Sequence, residues 1–420
     1  MSEPIIISEK DYIIENLSTI VSLIPLVVQN RFTNITRDDL GIVKDAWIHV
    51  NNGFIKTIQS GPVPTDLQKL KRYDAAGGMA LPGLVDAHTH PAFAGSRSNE
   101  FCMRLDGKTY QDIAAAGGGI ASTVKSTRAC SDVDLRQLIE TRLHTFLKNG
   151  VTSVEVKSGY GLSVAEELRH LRILKTLQKD LNTTIVITCL ALHAVPKEFL
   201  SARQWADACA AELLPQVAKE NLAEFVDAFV EAGYFSVDDI QGYLEAAKRL
   251  GLGIRIHADE FSDAKAALCA ARFSASSADH LQFANSEGID AMAKAGTVAM
   301  ILPGTSLYTN IPFTDAKKFT SRGCPVGLST DFNPGSSPIE NLRQVMTIGA
   351  LHCKLSMAEA IAAVTWVPAK SLNLSYTTGA LSAGMLANIL VMPMTSPEEF
   401  VADLGQTTLR FVAVQKRVTT

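Results

Sequence analysis

Two histidines separated by one residue, His88 and His90, end an apolar run that reads Leu-Val-Asp-Ala-His-Thr-His over residues 84–90. Alternate side chains of a strand point the same way, so this pair can close on one metal ion while Thr89 faces away. In isolation such a pair reads better as two surface histidines behind a buried strand, and what overturns that reading lies downstream. His257 closes the run Gly253-Ile254-Arg255-Ile256, and Glu260 follows three residues later, which sets a carboxylate that can move protons beside an imidazole that can bind metal. His280 ends SASSADH and Asp331 ends VGLSTD. His88, His90, His257 and Asp331 together offer three nitrogens and one carboxylate oxygen with a position left for solvent, the donor set of an open catalytic metal site. Taken singly, His280 fits a hydrogen-bonded core histidine as well, and Asp331 a helix N-cap. Their joint occurrence at the ends of four separate apolar runs favours the site.

Elements that could hold these residues recur from residue 131 onward. A helical period is followed by a glycine, a short β-branched run and a polar or titratable residue. Ser131 with Asp134 makes a capping start, Leu135, Leu138, Ile139, Leu143 and Phe146 repeat at helical spacing, and Gly150 stops the helix before the run Val151 to Val156. Ser236 with Asp239, Gly251 and Leu252 to Ile256 repeat the unit, and it returns around Gly296 and Gly323. Eight such runs end near His88 and His90, Lys157, His193, Glu231, His257, His280, Pro303 and Asp331. Strands alternating with helices make an α/β protein with a parallel sheet, and eight of them suit a closed (β/α)8 TIM-like barrel, in which all strand ends converge on one mouth. An open doubly wound sheet would gather its chemistry at one switch point, whereas here it follows at least six strands. Lys157 stays open between a salt-bridge partner and a site residue.

The flanks break the pattern. Residues 46–58 alternate around Asn52-Gly53, a hairpin signal, and residues 378–420 hold two further strand-like runs. The expected organisation is a small β-sandwich domain built from both chain ends, 1–80 and 374–420, with the barrel inserted at 81–373.

Composition bounds the function. The chain has 420 residues, 47% hydrophobic and 20% charged, enough for a large core with an appendage, since a single core rarely grows past about 250 to 300 residues. A net charge of −4 offers no basic footprint for nucleic acid. Acidic and basic residues interrupt the apolar N-terminal patches, so neither a signal peptide nor a membrane segment is expected. Seven cysteines without a CxxC pair argue against a disulfide framework and suggest buried thiols in a reducing cytoplasm.

The paired histidines, the HADE segment at 257–260 and Asp331 resemble the metal-dependent amidohydrolase superfamily, whose members hydrolyse amides, amidines and related ring bonds. More narrowly, HTHPAFAGSR (88–97), EVKSGYGL (155–162), ALHAVP (191–196), HADEF (257–261), SADHL (277–281), LPGTS (302–306) and TDFNPGSSP (330–338), in this order, are similar to the imidazolonepropionase family. That resemblance spans nearly the whole barrel. It implies one zinc or iron ion held by His88, His90, His257 and Asp331; Glu260, His280 and Asp331 as the catalytic groups; and Arg97, Tyr160, His193, Glu260, Asn333, Gly335 and Ser336 as substrate contacts. Some superfamily members bridge two metals with a modified lysine at the fourth strand, but that strand here ends in Glu231, which favours one ion.

The implied reaction opens the ring of 4-imidazolone-5-propanoate, a small molecule, to N-formimidoyl-L-glutamate, and the implied assembly is a homodimer. Its substrate carries a carboxylate tail that a guanidinium grips through two parallel hydrogen bonds, which makes Arg97 the natural anchor. The NPGSSP turn is expected to add backbone N–H groups and Ser336 as further anion donors. A protonated His280 is expected to stabilise the developing oxyanion. The sequence departs from the superfamily at Asn388, where an aspartate is common.

Overall fold

Serines cap the helices that separate the barrel strands. Ser131, Ser163, Ser201 and Ser236 each accept a hydrogen bond from the N–H three residues on, which satisfies donors that the first turn leaves unpaired. At Ser236 and Asp239 the bonds are reciprocal, completing the capping box. The helix Asp132–Lys148 then buries Leu135, Ile139, Leu143 and Phe146, one face at helical period, against the sheet.

The computed structural model describes residues 3–108, 112 and 117–416. Its first strands are β1 (Ile5–Ile7), β2 (Tyr12–Val21), β3 (Ile42–Asn51), β4 (Phe54–Ser60), β5 (Lys71–Asp74) and β6 (Met79–Pro82). The barrel strands follow as β7 (Leu84–Asp86), β8 (Val151–Lys157), β9 (Thr184–Leu192), β10 (Phe225–Val230), β11 (Gly253–Ala258), β12 (Ser277–His280), β13 (Val298–Ile301) and β14 (Val326–Leu328). Two last strands, β15 (Ile389–Met392) and β16 (Phe411–Ala413), complete the set.

Strands β7 to β14 lie in chain order in one parallel sheet of eight, the (β/α)8 barrel. Nearly every residue in them is buried, which is why β9, β10, β13 and β14 are dominated by apolar residues on both faces. The ring closes just beyond the ends of β7 and β14. Thr89 bridges Phe332 in parallel, the Asp331 N–H donates to the His88 carbonyl at 3.0 Å, and the His90 N–H donates to the Phe332 carbonyl at 2.8 Å.

The other eight strands form a second sheet in the order β1-β16-β15-β6-β2-β3-β4, with β5 on β2. Strand β1 runs parallel to β16, so the two chain ends meet, and Asn52-Gly53 turns the β3–β4 hairpin. This is the expected small β domain built from both chain ends: its strands form one connected sheet, Phe54 at the start of β4 bridges Leu386 just before β15, and the sheet folds over a core that includes Tyr12, Leu17, Ile48, Ile55, Ile389 and Phe411. Asn388 serves this sheet, accepting from the Gln415 N–H and donating to Thr378 Oγ1, so its departure from the superfamily pattern leaves the barrel mouth untouched. Five of the seven cysteines are buried as expected, but Cys102 is exposed and Cys130 half-buried. Among the described residues no helix is long and apolar enough to cross a membrane.

One residue joins sheet to barrel. Gly83 sits between β6 and β7, and a Cβ there would fall 2.2 Å from Oγ1 of the buried Thr152 on β8. Gly83→Ala is therefore expected to cost about 1–3 kcal/mol through overpacking, read as a lower denaturation midpoint. Adding Thr152→Ala should recover part of that loss, and equal losses in the single and double variants would refute the steric account.

Candidate metal centre and active site

His88 and His90 emerge directly after β7, His257 lies in β11, His280 ends β12, and Asp331 stands just beyond β14. All five are buried at one barrel mouth. His88 Nε2 and His90 Nε2 face each other at 3.2 Å, and Asp331 Oδ1 lies 3.4 Å from the first and 3.3 Å from the second. His88 Nδ1 is 2.7 Å from Asp279 Oδ2, so a proton on Nδ1 meets a carboxylate and Nε2 is left with its lone pair. Potential ligand atoms lie within 4.8 Å of one another in two groups among the described residues, His88 with His90 and His257, and His88 with His280 and Asp331. His88 belongs to both. The four expected ligands thus converge, with His280 beside them.

The donor set fits a divalent cation. Two imidazole lone pairs cannot satisfy each other across 3.2 Å, a buried carboxylate oxygen adjoins both, and a cation among them would be held by all three.

Strained backbone aims several of these groups. Asp259, His280 and Asp331 have φ of 52°, 78° and 51°, left-handed conformations that side chains rarely adopt and that cluster at functional sites. The Asp259 carboxylate accepts from the N–H groups of Ala264, Ala266 and Ala267, pinning the turn that carries Glu260. Glu260 Oε1 comes within 3.6 Å of His280 Nδ1. Thr305 Oγ1 donates to Asp331 Oδ2 at 2.5 Å, leaving Oδ1 for the histidines.

Burial sets the protonation states. It lowers His90 to about 4, and it pushes His280 well below the usual imidazole range, with the nearby histidines opposing a charge as well. Burial thus opposes the protonated His280 expected from the sequence. Glu260 is driven well above the carboxylate range by burial and by the charges of Asp331 and Glu231. At Asp331 burial works in the same direction, but His88 and His90 outweigh it and hold the carboxyl well below its ordinary value.

The expected substrate contacts divide. Tyr160 and His193 flank His90, with ring centroids 6.3 and 5.4 Å from it, and Gly159 O holds His193 Nδ1 at 3.0 Å. Arg97 directs Nε and Nη2 to Glu100 Oε2, at 3.0 and 2.8 Å, and turns Nη1 toward Gly335. A Cβ on Gly335 would meet that nitrogen at 2.1 Å, so the glycine makes room for the guanidinium. The NPGSSP turn departs from expectation. The N–H groups of Gly335 and Ser336 both donate to Asn333 Oδ1 at 2.8 Å, and Asn333 Nδ2 donates to Ser336 Oγ at 2.9 Å. The asparagine thereby uses up the backbone donors that had seemed available to an anion, the usual economy of an Asx turn. The sequence Ala116-Gly117-Gly118-Gly119 reads as a loop over the barrel mouth; Ala116 lies outside the described residues, and the Gly119 N–H donates to Glu100 Oε1 at 2.8 Å.

Lys157 is an ion-pair residue, its Nζ 2.7 Å from Glu155 and 2.9 Å from Asp227 in the barrel interior. Sequence reasoning passed over Asp227, Arg255, Asp279, Thr305 and Glu100. A signal existed for the first three: each is a charge inside a buried parallel strand, a placement tolerated only with partners, and in β10 Asp227 is the one polar residue among apolar ones.

Comparison with known proteins agrees with this arrangement. A model of the amidohydrolase family matches residues 79–420. An imidazolonepropionase of Symbiobacterium thermophilum is 43% identical over 341 residues, covering 80% of this chain and 79% of that protein. Another, of Caldanaerobacter subterraneus subsp. tengcongensis, is 41% identical over 364 residues, 86% of this chain and 87% of that protein. Among solved structures, a triazine hydrolase variant superposes with a TM-score of 0.74 at 15% identity, covering 97% of this chain and 94% of its own. An adenosine deaminase from Xanthomonas campestris with bound zinc reaches 0.64 at 16% identity, covering 97% and 90%. At such identities the structural likeness speaks for the fold alone. With a family model across the whole barrel and relatives near 40% identity over most of its length, the chain belongs to the amidohydrolase family and, within it, to the imidazolonepropionases.

Proposed function

We propose that this chain hydrolyses the ring amide C–N bond of 4-imidazolone-5-propanoate to N-formimidoyl-L-glutamate in histidine degradation, using one zinc or iron ion held by His88, His90, His257 and Asp331. The observation that carries the reading is 43% identity, across four-fifths of the chain, to an imidazolonepropionase. The geometry at the barrel mouth supports the assigned roles. The reading extends, on the family resemblance, to a homodimer in the cytoplasm, with the barrel at 81–373 and the β domain at 1–80 and 374–420.

When bound, the ion supplies Lewis acidity, which makes hydroxide available near pH 7 and polarises the ring carbonyl. Asp331, kept ionised and with one oxygen engaged by Thr305, orients the attacking water through its other oxygen. Glu260 takes the water's proton and returns it to the ring nitrogen as the C–N bond breaks, so the proton count closes within the site. Its burial suits a group that must hold a proton at neutral pH. Neutral His280, 3.6 Å from Glu260, donates its N–H toward the oxyanion. Arg97, steadied by Glu100, receives the propanoate carboxylate, while Tyr160 and His193 wall the ring side of the pocket. Asn333 and Ser336 act by holding the turn against which Arg97 rests.

An ultraviolet assay for loss of the imidazolone, run beside metal analysis of the purified protein, tests the reading directly: stoichiometric metal without ring opening would exclude it. Glu260→Gln should retain metal and substrate but lose about two to four decades of turnover, and near-normal turnover would remove Glu260 as proton carrier. Arg97→Ala should raise KM about 10- to 100-fold with a smaller change in kcat, the scale of a lost charge-assisted hydrogen bond. Arg97→Lys should recover little of it, because an ammonium lacks the planar fork. Gly335→Ala should copy the KM effect by displacing the guanidinium, and an unchanged KM in both variants would place the carboxylate elsewhere.

A further inference from the structure

Five charged side chains fill the barrel below the metal centre with no exposed surface: Glu155, Lys157, Asp227, Arg255 and Asp279. Branched apolar residues ordinarily fill this layer, and burying ions there carries a desolvation cost that close pairing must offset. The pairing has a pattern. Lys157 Nζ lies 2.9 Å from Asp227 Oδ2, and that same oxygen is 3.0 Å from His257 Nδ1. Arg255 Nη2 lies 3.4 Å from Asp279 Oδ2, and that same oxygen is 2.7 Å from His88 Nδ1.

Two chains of identical logic therefore run upward, cation to carboxylate to imidazole. Each ends on a histidine whose second nitrogen is left for the metal centre. Several further atoms of the cluster are tied to the frame. Asp227 Oδ1 accepts the N–H groups of Ala228 and His257, at 2.7 and 3.1 Å, while Arg255 donates to the carbonyls of Ala87 and Ser371, at 2.7 and 3.2 Å. Ala87 is the residue before His88, so Arg255 grips both the backbone and the side-chain partner of that ligand. Glu155, paired with Lys157, also accepts the Thr89 N–H at 3.2 Å, between the two paired histidines.

We propose that Lys157 and Arg255 are positioning residues for the metal centre: through Asp227 and Asp279 they lock His257 and His88 in the Nδ1–H form, with Nε2 presented to the ion. This rests on the metal reading above. Carboxylates behind ligating imidazoles raise ligand basicity and fix ring orientation, and their loss costs about 10- to 100-fold in metal affinity.

The test loads the full-length protein with zinc and titrates it against a competing chelator. Asp279→Asn keeps the side-chain volume but removes the charge behind His88, and zinc affinity per folded chain should fall about 10- to 100-fold. The paired change Lys157→Met with Asp227→Asn removes one charge of each sign, avoids an unpaired buried ion, and should weaken zinc similarly. Nitrogen-15 spectra of histidine-labelled, zinc-free protein should show a tautomer shift in the variants. A role confined to stability would lower the melting temperature and leave affinity and tautomers unchanged. Zinc affinity within about threefold of wild type in both variants overturns the proposal. Failure of the wild-type protein to hold zinc or iron would instead overturn the metal reading itself.

Discussion

The barrel closes through the backbone of the segments that carry the proposed metal ligands. Strands β7 and β14 are short and end before they pair, and the seam is made by the backbone of His88, Thr89, His90, Asp331 and Phe332. The His88 carbonyl accepts from the Asp331 N–H, so the first and last ligand-bearing segments are held at hydrogen-bond distance whatever their side chains do. A closed ring of eight parallel strands needs this seam, and the candidate site needs the same contact. Closure and site assembly are therefore one event, and the strained φ of Asp331 is stabilised by the bonds that complete the ring.

Below that seam the interior is charged rather than apolar, and the two facts are connected. On the proposed metal reading the imidazoles need one tautomer, and the buried carboxylates of Asp279 and Asp227, 2.7 and 3.0 Å from Nδ1 of His88 and His257, favour it. Those carboxylates in turn need Lys157 and Arg255, since an isolated buried ion is far too costly to keep. Above the seam, burial works on Glu260 and His280 in opposite senses, raising the proton affinity of the carboxylate and lowering that of the imidazole. Two titratable groups 3.6 Å apart are thereby separated in proton affinity by the same dry environment, the arrangement that acid and base roles require.

Much of this was legible in the chain as written. The alternation of capped helices and β-branched runs located all eight barrel strands, because capping and hydrophobic period are local properties read within a few residues of each other. The histidines and Asp331 were legible for the same reason: each stands at or just past the end of its own strand. Less legible was anything that depends on which strands become neighbours. Lys157 stayed ambiguous because its partner Asp227 is 70 residues away. Asn333 and the Gly335–Ser336 donors were misread because a turn can spend its N–H groups on its own side chain, and only the folded geometry shows whether it does. The downward pull of burial on His280 is likewise invisible in the sequence, which carries no measure of burial.

By itself, then, the sequence determined the barrel, the strand ends that carry the chemistry, the donor set for a metal, and the kinship that points to a ring-opening hydrolysis. These follow from residue type, spacing and order. Only the tertiary structure decided how the terminal β runs order into one sheet, that Arg97 rests on Glu100 and Gly335, that burial shifts Glu260 and His280 in opposite directions, and that five buried charges stand behind the proposed ligands. Each of these depends on desolvation or on a partner distant in the chain, and both arise only when the strands have closed into a ring.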